Sequence, residues 1–510
     1  MSETGPGSTG TSDVSFGNGE SLDKGTNWWG AFVIGLAGTI LVTGSAPVFV
    51  TTFGASYVPI IVFFTLTGWV LCLLLAELSG MMPDRTGGSP TYAAPAYRKW
   101  PRLAGHVNGV TSWMYWLGWT PVAPLNMILA SFYIGELFGL DMTKGFTPIS
   151  TFVSWWTIGI ALVGIALLAS AAYMGIKFGT GVATVLAILA MLPLTFLSIG
   201  WVIRPSAADW SELIGFHQLD GSSFVSPLMG HPAWLVYLAF AFPLTWTVIA
   251  MEAAACYIGE CRKPDRDAKV AMTLEGGYGV FVYTLLPISF IVVLGASALT
   301  DPDLVDPKTI FVTFASRIFP GVAGHILEWA IALMLIVALA LSALNALMGC
   351  SRALYQISSD GDLPRWWQHK NKHGIPDHAM FTNVGLSVLG IFMGGAAEIY
   401  AFSNVGYLGS FVPVLVGFYL LRKYYPDARR PFKLPEFSKY IALGMAVLYF
   451  VIWLFGGIIY SFIGGNAIYY FLGWVIALLY LPLYWYRTRV EDKKHGAALV
   501  ATGSPGGEDR

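Results

Sequence analysis

Twelve apolar stretches of about twenty residues recur along the chain, at 28–50, 55–83, 104–135, 150–170, 176–203, 231–257, 273–299, 322–357, 379–395, 398–421, 440–463 and 465–486. Each is long enough to cross roughly 30 Å of hydrocarbon as a helix. Inside lipid a segment must satisfy its backbone groups internally, so runs of this length read as helices and not as barrel strands. The pattern defines an all-α integral membrane protein with twelve transmembrane helices. Composition agrees: 12% of the 510 residues are charged and 55% are hydrophobic, about half the charged share of a soluble chain.

Charge placement sets the expected orientation. With the N-terminus inside, the cytoplasmic segments are 1–27, 84–103, 171–177, 258–272, 358–378, 422–439 and 487–510. Allowing a few residues past each boundary, these hold all of the 29 Lys and Arg except Lys144, Arg204, Lys308 and Arg317. Basic residues favour the cytoplasmic side, so both termini are expected there, in a plasma-membrane protein. Residues 1–27 and 488–510 read as cytoplasmic tails around a membrane domain at 28–487. Cys72, Cys256, Cys261 and Cys350 all fall in spans or at their cytoplasmic ends, and neither a disulfide nor a thiolate metal site is expected. Trp28, Trp29, Trp155, Trp156, Trp366, Trp367 and Trp485 fall near span ends and read as interfacial anchors. The connection 204–230 reads equally as an amphipathic cover or as a solvated linker.

Two spans carry helix-weakening sequence at mid-depth. Span 1 contains "GLAGTILVTGSAPVF" (35–49), and span 6 contains "FAFPLTWTVIAMEAAA" (240–255), where Pro243 removes a backbone donor. They occupy matching places in two consecutive five-span blocks, and an odd number of spans per block inverts the second. A matched pair of broken helices points to a transport site near the bilayer midplane. Helix-packing kinks are the plainer alternative, since small residues also serve close contact.

Five further motifs occur in register. "AELSGMMPDRTGGSPTYAAPAY" (76–97), "WMYWLGW" (113–119), "MEAAACYIGECRKPDRDA" (251–268), "SRALYQISSDGDLPRWW" (351–367) and "LRKYYPDARRPFKLP" (421–435) together resemble the amino acid–polyamine–organocation (APC) superfamily of secondary transporters. The resemblance implies inverted five-helix repeats (helices 1–5 at 28–203, helices 6–10 at 231–421), with helices 1 and 6 broken, and then helices 11–12 (440–486). It also implies an amino acid or another small amine-bearing metabolite as substrate. Breaking a helix frees amides at one new end and carbonyls at the other, which suits a zwitterion. By this resemblance Thr43, Gly44 and Ser45 would offer amides and Val42 a carbonyl, while carbonyls near Phe242 and Thr245 would take the amine. Trp246 would shut over substrate, and Tyr115, Gly118 and Trp119 would line the pocket. Core packing accounts for these aromatics equally well.

Some positions depart from the family. Span 1 usually carries a Gly-small-Gly triplet, and "VTGSA" matches it only at Gly44; Ala250 stands where Gly is common. Glu252 sits in an apolar setting and reads as a proton-coupling carboxyl or as a structural one. Glu77 and Glu275 read as caps or partners of loop Arg and Lys. A span 5 lysine of some relatives aligns with Ala190, while Lys177 lies at the cytoplasmic mouth. Ser342 is a candidate sodium ligand beside span 1 carbonyls, though Ala343 offers no second hydroxyl. Proton coupling, sodium coupling and exchange stay open, as does an oligomer. No enzyme motif is found, and no cofactor or nucleic-acid partner is expected; "HKNKH" (369–373) reads as a solvated run. A sensor on the same fold, or an amine or polyamine carrier, is the rival reading.

Overall fold

A computed structural model describes residues 24–85, 88–174, 176–301 and 310–493. The expected tails fall largely outside these residues, as do Lys308 and the Lys177 side chain. Among the described residues, ten helical stretches are long and apolar enough to cross a membrane. The first, Trp28–Met81, is a hairpin of two spans. It turns at Gly54, whose φ of +60° is a left-handed value that glycine adopts without strain. Asp377–Gly390 and the turn Ile391–Met393 make a shorter ninth span. Counting both arms of the hairpin and this short helix brings the total to twelve.

Local sequence explains the ends. Asn27 accepts the amides of Trp29 and Gly30 at 3.0 and 3.1 Å and starts span 1. Spans 2 (Val58–Met81), 3 (Pro101–Trp119 and Val122–Phe138) and 7 (Pro264–Leu299) each carry a proline in the first turn, where no amide partner is lost. Span 3 closes on left-handed Gly139.

Packing repeats with an offset of five spans. Span 3 packs on span 10 (Ala396–Tyr424), and span 8 (Val322–Ser359) on span 5 (Ile176–Ile199). Spans 3 and 4 (Trp155–Tyr173) form a neighbouring pair, as do spans 8 and 9. Span 2 faces its counterpart span 7, and span 1 faces span 6. This is the all-α arrangement of paired five-helix units implied above. Span 6 occupies the centre: its most apolar window is 83% buried, against 22% for spans 4 and 12.

The loops segregate to two faces. On the basic face, Arg85 pairs with Asp360, Asp265 with Arg429, and Arg365 with Asp492. Residues 24–27, expected in the tail, are instead tied down here: Thr26 donates to the Glu260 carbonyl at 3.2 Å and Lys24 to that of Gly259 at 2.7 Å. Glu77 pairs as expected, taking Arg422 at 2.5 Å, Arg430 at 3.1 Å and the Leu434 amide at 2.9 Å. On the opposite face, Ser56 donates its amide to His217, and Leu219 lies on Gly54. Phe224 stacks near Tyr237 at 4.9 Å. The connection 204–230 is therefore a cover over spans 1 and 6. Trp29, Trp155, Trp156, Trp366 and Trp485 are exposed near span ends, whereas Trp367 is buried and donates to Thr382.

The interruptions fall inside the stretches 35–49 and 240–255, but not at Gly44 or Pro243. Span 1 consists of Trp28–Gly35, Ala37–Ile40 and Val42–Phe53, joined by tightened turns at Leu36 and Leu41 that keep right-handed helical dihedral angles. Span 6 stays α-helical through Pro243, over Ala233–Ile249, and then tightens into an eleven-residue 3₁₀ helix, Ala250–Glu260. A 3₁₀ run of that length is uncommon. Its first residue meets span 1 backbone to backbone: a Cβ on Gly38 would lie inside the Ala250 carbonyl and 3.2 Å from the Met251 amide. Gly38→Ala should cost about 3 kcal/mol or more, because neither backbone can retreat. Thermal unfolding and the yield of monodisperse detergent-solubilised protein measure this, and wild-type behaviour would show a looser crossing.

Candidate functional site

Around the crossing the helix ends are already partly occupied. The amides of Gly44 and Ser45 both donate to the Leu41 carbonyl, at 3.2 and 3.3 Å, so span 1 tightens here and does not open. The Thr43 hydroxyl donates to Ile40 at 2.9 Å, and Val42 is buried. In span 6 the Phe242 carbonyl takes the Thr245 hydroxyl at 2.9 Å and the Asn404 amide at 2.5 Å. The expected amine acceptor is thus engaged by its own helix and by span 10. The Phe242 ring points toward Tyr460 and Tyr470 of spans 11 and 12. The Tyr283 hydroxyl of span 7 lies 3.0 Å from the Gly38 carbonyl and 2.8 Å from that of Thr247, linking both interrupted spans.

Beside Gly44 lies a chain of aromatic rings. Tyr400 and Trp246 have centroids 5.0 Å apart, Trp246 and Tyr407 6.4 Å, and Tyr407 and Trp119 5.7 Å. A Cβ on Gly44 would come 2.7 Å from the Tyr400 hydroxyl and 3.2 Å from Leu129. Trp246, Tyr400 and Tyr407 are each at most 2% exposed. The indole nitrogen of Trp246 and the Tyr400 hydroxyl have no hydrogen-bond partner among the described residues, while the Trp119 indole faces Glu252 and Tyr407. An indole nitrogen can only donate, so this is a donor-rich wall. Gly118 belongs to a different contact: a Cβ there would meet the Tyr407 backbone 2.8 Å away, so it seats span 3 on span 10.

Glu252 stands behind this wall, fully buried, and accepts three hydroxyls: Tyr115 at 2.8 Å, Tyr407 at 2.9 Å and Ser89. It ties spans 3, 6 and 10 and the segment after span 2 together. Ser342 donates directly to the Ala37 carbonyl at 3.0 Å, which joins the two groups named for sodium by a hydrogen bond. Glu275 departs from expectation. It is buried and meets no loop Arg or Lys among the described residues; its partner is the Ala254 amide at 3.0 Å. Residues missed in the sequence are Tyr400, Asn404 and Tyr407, which lie at spacings of four and three on one face of span 10, together with Ser89 and Tyr283. That spacing was the available signal for the first three.

With this geometry in place, similarity to known proteins decides the family. The sequence profile described as "Amino acid permease" matches residues 27–478. The chain belongs to the amino acid permease family, within the APC superfamily. Among relatives, solute carrier family 7 member 12 of Mus musculus is 24% identical over 211 residues, 40% of this chain and 43% of that protein. The match to this carrier thus spans less than half its length. The gamma-aminobutyric acid permease of Escherichia coli K12 is 26% identical over 376 residues, 72% of this chain and 73% of the relative. A probable GABA permease of Pseudomonas aeruginosa is 24% identical over 359 residues, 70% and 68% of the two chains.

A second polar region of this permease opens on the basic face. A cavity of about 1030 Å³ is lined by Arg85, Asn108, Tyr355, Asp362, Arg365 and Arg487, among others. Asn108 donates to Asp360 at 2.8 Å and to Asp362 at 3.0 Å. Burial pushes the Asp362 carboxyl from its ordinary 3.8 up to about 7, against the lowering effect of the Asn108 amide. An acid whose folded value is raised binds more protons folded than unfolded, so stability falls as pH rises from about 4 to about 7. Asp362→Asn removes that penalty. It should unfold at higher temperature than wild type at pH 8, by the equivalent of about 2–4 kcal/mol, with the gap closing toward pH 4. Thermal unfolding across that range tests this; a gap independent of pH would remove Asp362 from the pH response.

Proposed function

We propose that the protein is a secondary active transporter, a symporter or exchanger, that moves a small amino acid by alternating access. The observation that carries this reading is a pair of buried donors without partners among the described residues, Trp246 Nε1 and the Tyr400 hydroxyl, the latter beside Gly44. Each unmet donor costs about 1–3 kcal/mol, which a ligand carboxylate would recover. The faces of Trp246, Tyr400 and Tyr407 suit the ammonium end. Of the ten substrate-contacting residues expected from the sequence, Gly44, Tyr115, Trp119, Thr245 and Trp246 are kept in this proposal, and Tyr400 and Tyr407 join them. The "VTGSA" departure in span 1, together with relatives named as gamma-aminobutyric acid permeases, supports including amino acids whose amine is remote from the carboxylate. The proposed setting is the plasma membrane, with the basic face and both termini cytoplasmic, repeats at 28–203 and 231–421, and outward apolar side chains such as Val163, Leu167 and Val185 against lipid.

The test is ligand binding and flux in purified protein. A thermal-shift screen across α-amino acids, gamma-aminobutyric acid, amines and polyamines should give hits among the amino acids, with saturable uptake into liposomes. Trp246→Phe and Tyr400→Phe should each weaken binding roughly tenfold, the worth of one hydrogen bond to a charged group. Gly44→Leu should abolish it. Hits confined to amines without a carboxylate would overturn the amino acid assignment, and normal affinity in folded Gly44→Leu would move the site.

A further inference from the structure

The 3₁₀ segment of span 6 runs between two buried carboxyls with very different surroundings. Glu252 receives three hydroxyl donors from spans 3 and 10 and the Ser89 turn. Residues 252 and 254 point to different sides of a helix with three residues per turn. On the Ala254 side lies Glu275 of span 7, fully buried, whose Oε2 accepts the Ala254 amide at 3.0 Å. Its Oε1 has no partner among the described residues. Gly35 of span 1 makes the space, since a Cβ there would come 2.7 Å from the Glu275 carboxyl carbon and 2.8 Å from Ala254.

No described cation answers this carboxyl. Spans 1, 2, 5 and 6 pack on span 7. Span 2 offers Cys72, with Glu77 already taken by Arg422 and Arg430. Span 6 offers Glu252 and Cys256, and Glu260 is held by Arg352 at 2.7 Å. Span 1 offers no ionisable side chain, and Lys24 before it is bonded to Gly259. Lys177, the only ionisable residue of span 5, has its side chain outside the described residues. A carboxylate removed from water needs several donors or a counter-charge. Glu252 has the donors. Glu275 has one amide and a bare oxygen.

We propose that Glu275, and not Glu252, is the membrane-embedded proton-binding carboxyl of this protein: it holds one proton on Oε1 while the 3₁₀ segment is docked on spans 1 and 7, and releases it to water when that segment moves away. The step is a simple protonation. The O–H bond forms on Oε1 as the carboxylate loses its charge, and Oε2 keeps the Ala254 amide. Undocking removes that amide and admits water, which solvates the carboxylate after the proton leaves. The inference deepens the transport reading and rests on it for the role of the proton, but occupancy of the site is measurable without any substrate.

The experiment is infrared difference spectroscopy of the full-length protein in liposomes, following the C=O stretch of protonated carboxyls during pH steps, in an Asp362→Asn background that removes the other buried candidate. Glu275→Gln should abolish a protonated-carboxyl band that Glu252→Gln leaves in place, and Gly35→Ala should shift that band by displacing the carboxyl. A band retained in Glu275→Gln, lost in Glu252→Gln, or absent from the parent protein would overturn the proposal. If Glu275→Gln fails to give monodisperse protein, Glu275→Asp carries the test: the band should move in frequency, and an unmoved band overturns the assignment. With a transported amino acid in hand, Glu275→Gln should also lose the pH dependence of uptake. Absence of flux for every amino acid would count against the transport reading alone, because the band does not depend on it.

Discussion

Everything at the centre of the molecule depends on two backbones touching where span 1 crosses span 6. No side chain fits between Gly38 and the Ala250 carbonyl. Because the two chains meet so closely, both interrupted spans share one partner, the Tyr283 hydroxyl, at the carbonyls of Gly38 and Thr247. A hydroxyl has a single proton to give, so the two carbonyls compete for it. The neighbouring glycine one turn earlier, Gly35, leaves room for Glu275 in the same way. Small residues here do not merely permit a kink; they bring polar backbone and a buried acid to one point.

Polar groups are distributed unevenly about that point. The opposite face is closed by rings, with Phe53 stacked on Tyr57 at 4.4 Å and edge-on to Phe240 at 4.8 Å, beneath the 204–230 cover. The basic face carries the buried charges instead. Glu77 between Arg422 and Arg430 fixes span 2 to the end of span 10, and losing one partner of such a cluster strands a charge at a cost of about 3–5 kcal/mol. One side is thus sealed by apolar contact and the other by ion pairs around an open polar cavity. The two seals respond to different conditions, since salt and pH act on the second and hardly on the first.

Helix content, span positions and the two-faced loop arrangement were legible because hydropathy and basic-residue placement act locally, residue by residue. The paired five-helix arrangement followed from the family motifs, whereas the central place of span 6 became visible only in the packing. The exact interruptions were not legible. Pro243 marks a missing donor, but the helix continues through it and changes form only at Ala250, where span 1 presses against it. That is a tertiary contact, and no local propensity reports it. Similarly, Glu252 was singled out as an acid in an apolar run, yet the sequence could not say that three hydroxyls from distant spans converge on it. Glu275 looked like a helix-end residue by depth, and only packing shows it facing the 3₁₀ segment of span 6.

The 3₁₀ segment has a mechanical consequence. A 3₁₀ helix rises about 2.0 Å per residue and an α-helix about 1.5 Å. Over the eleven residues from Ala250 to Glu260 the tighter winding makes the segment roughly 5 Å longer than it would be as α-helix. Rewinding would therefore retract one end by about one α-helical turn and rotate its side chains about the axis, with no hinge and no loop. Span 6 is in this sense an extended spring, stretched between Gly38 at one end and the Arg352-bound Glu260 at the other.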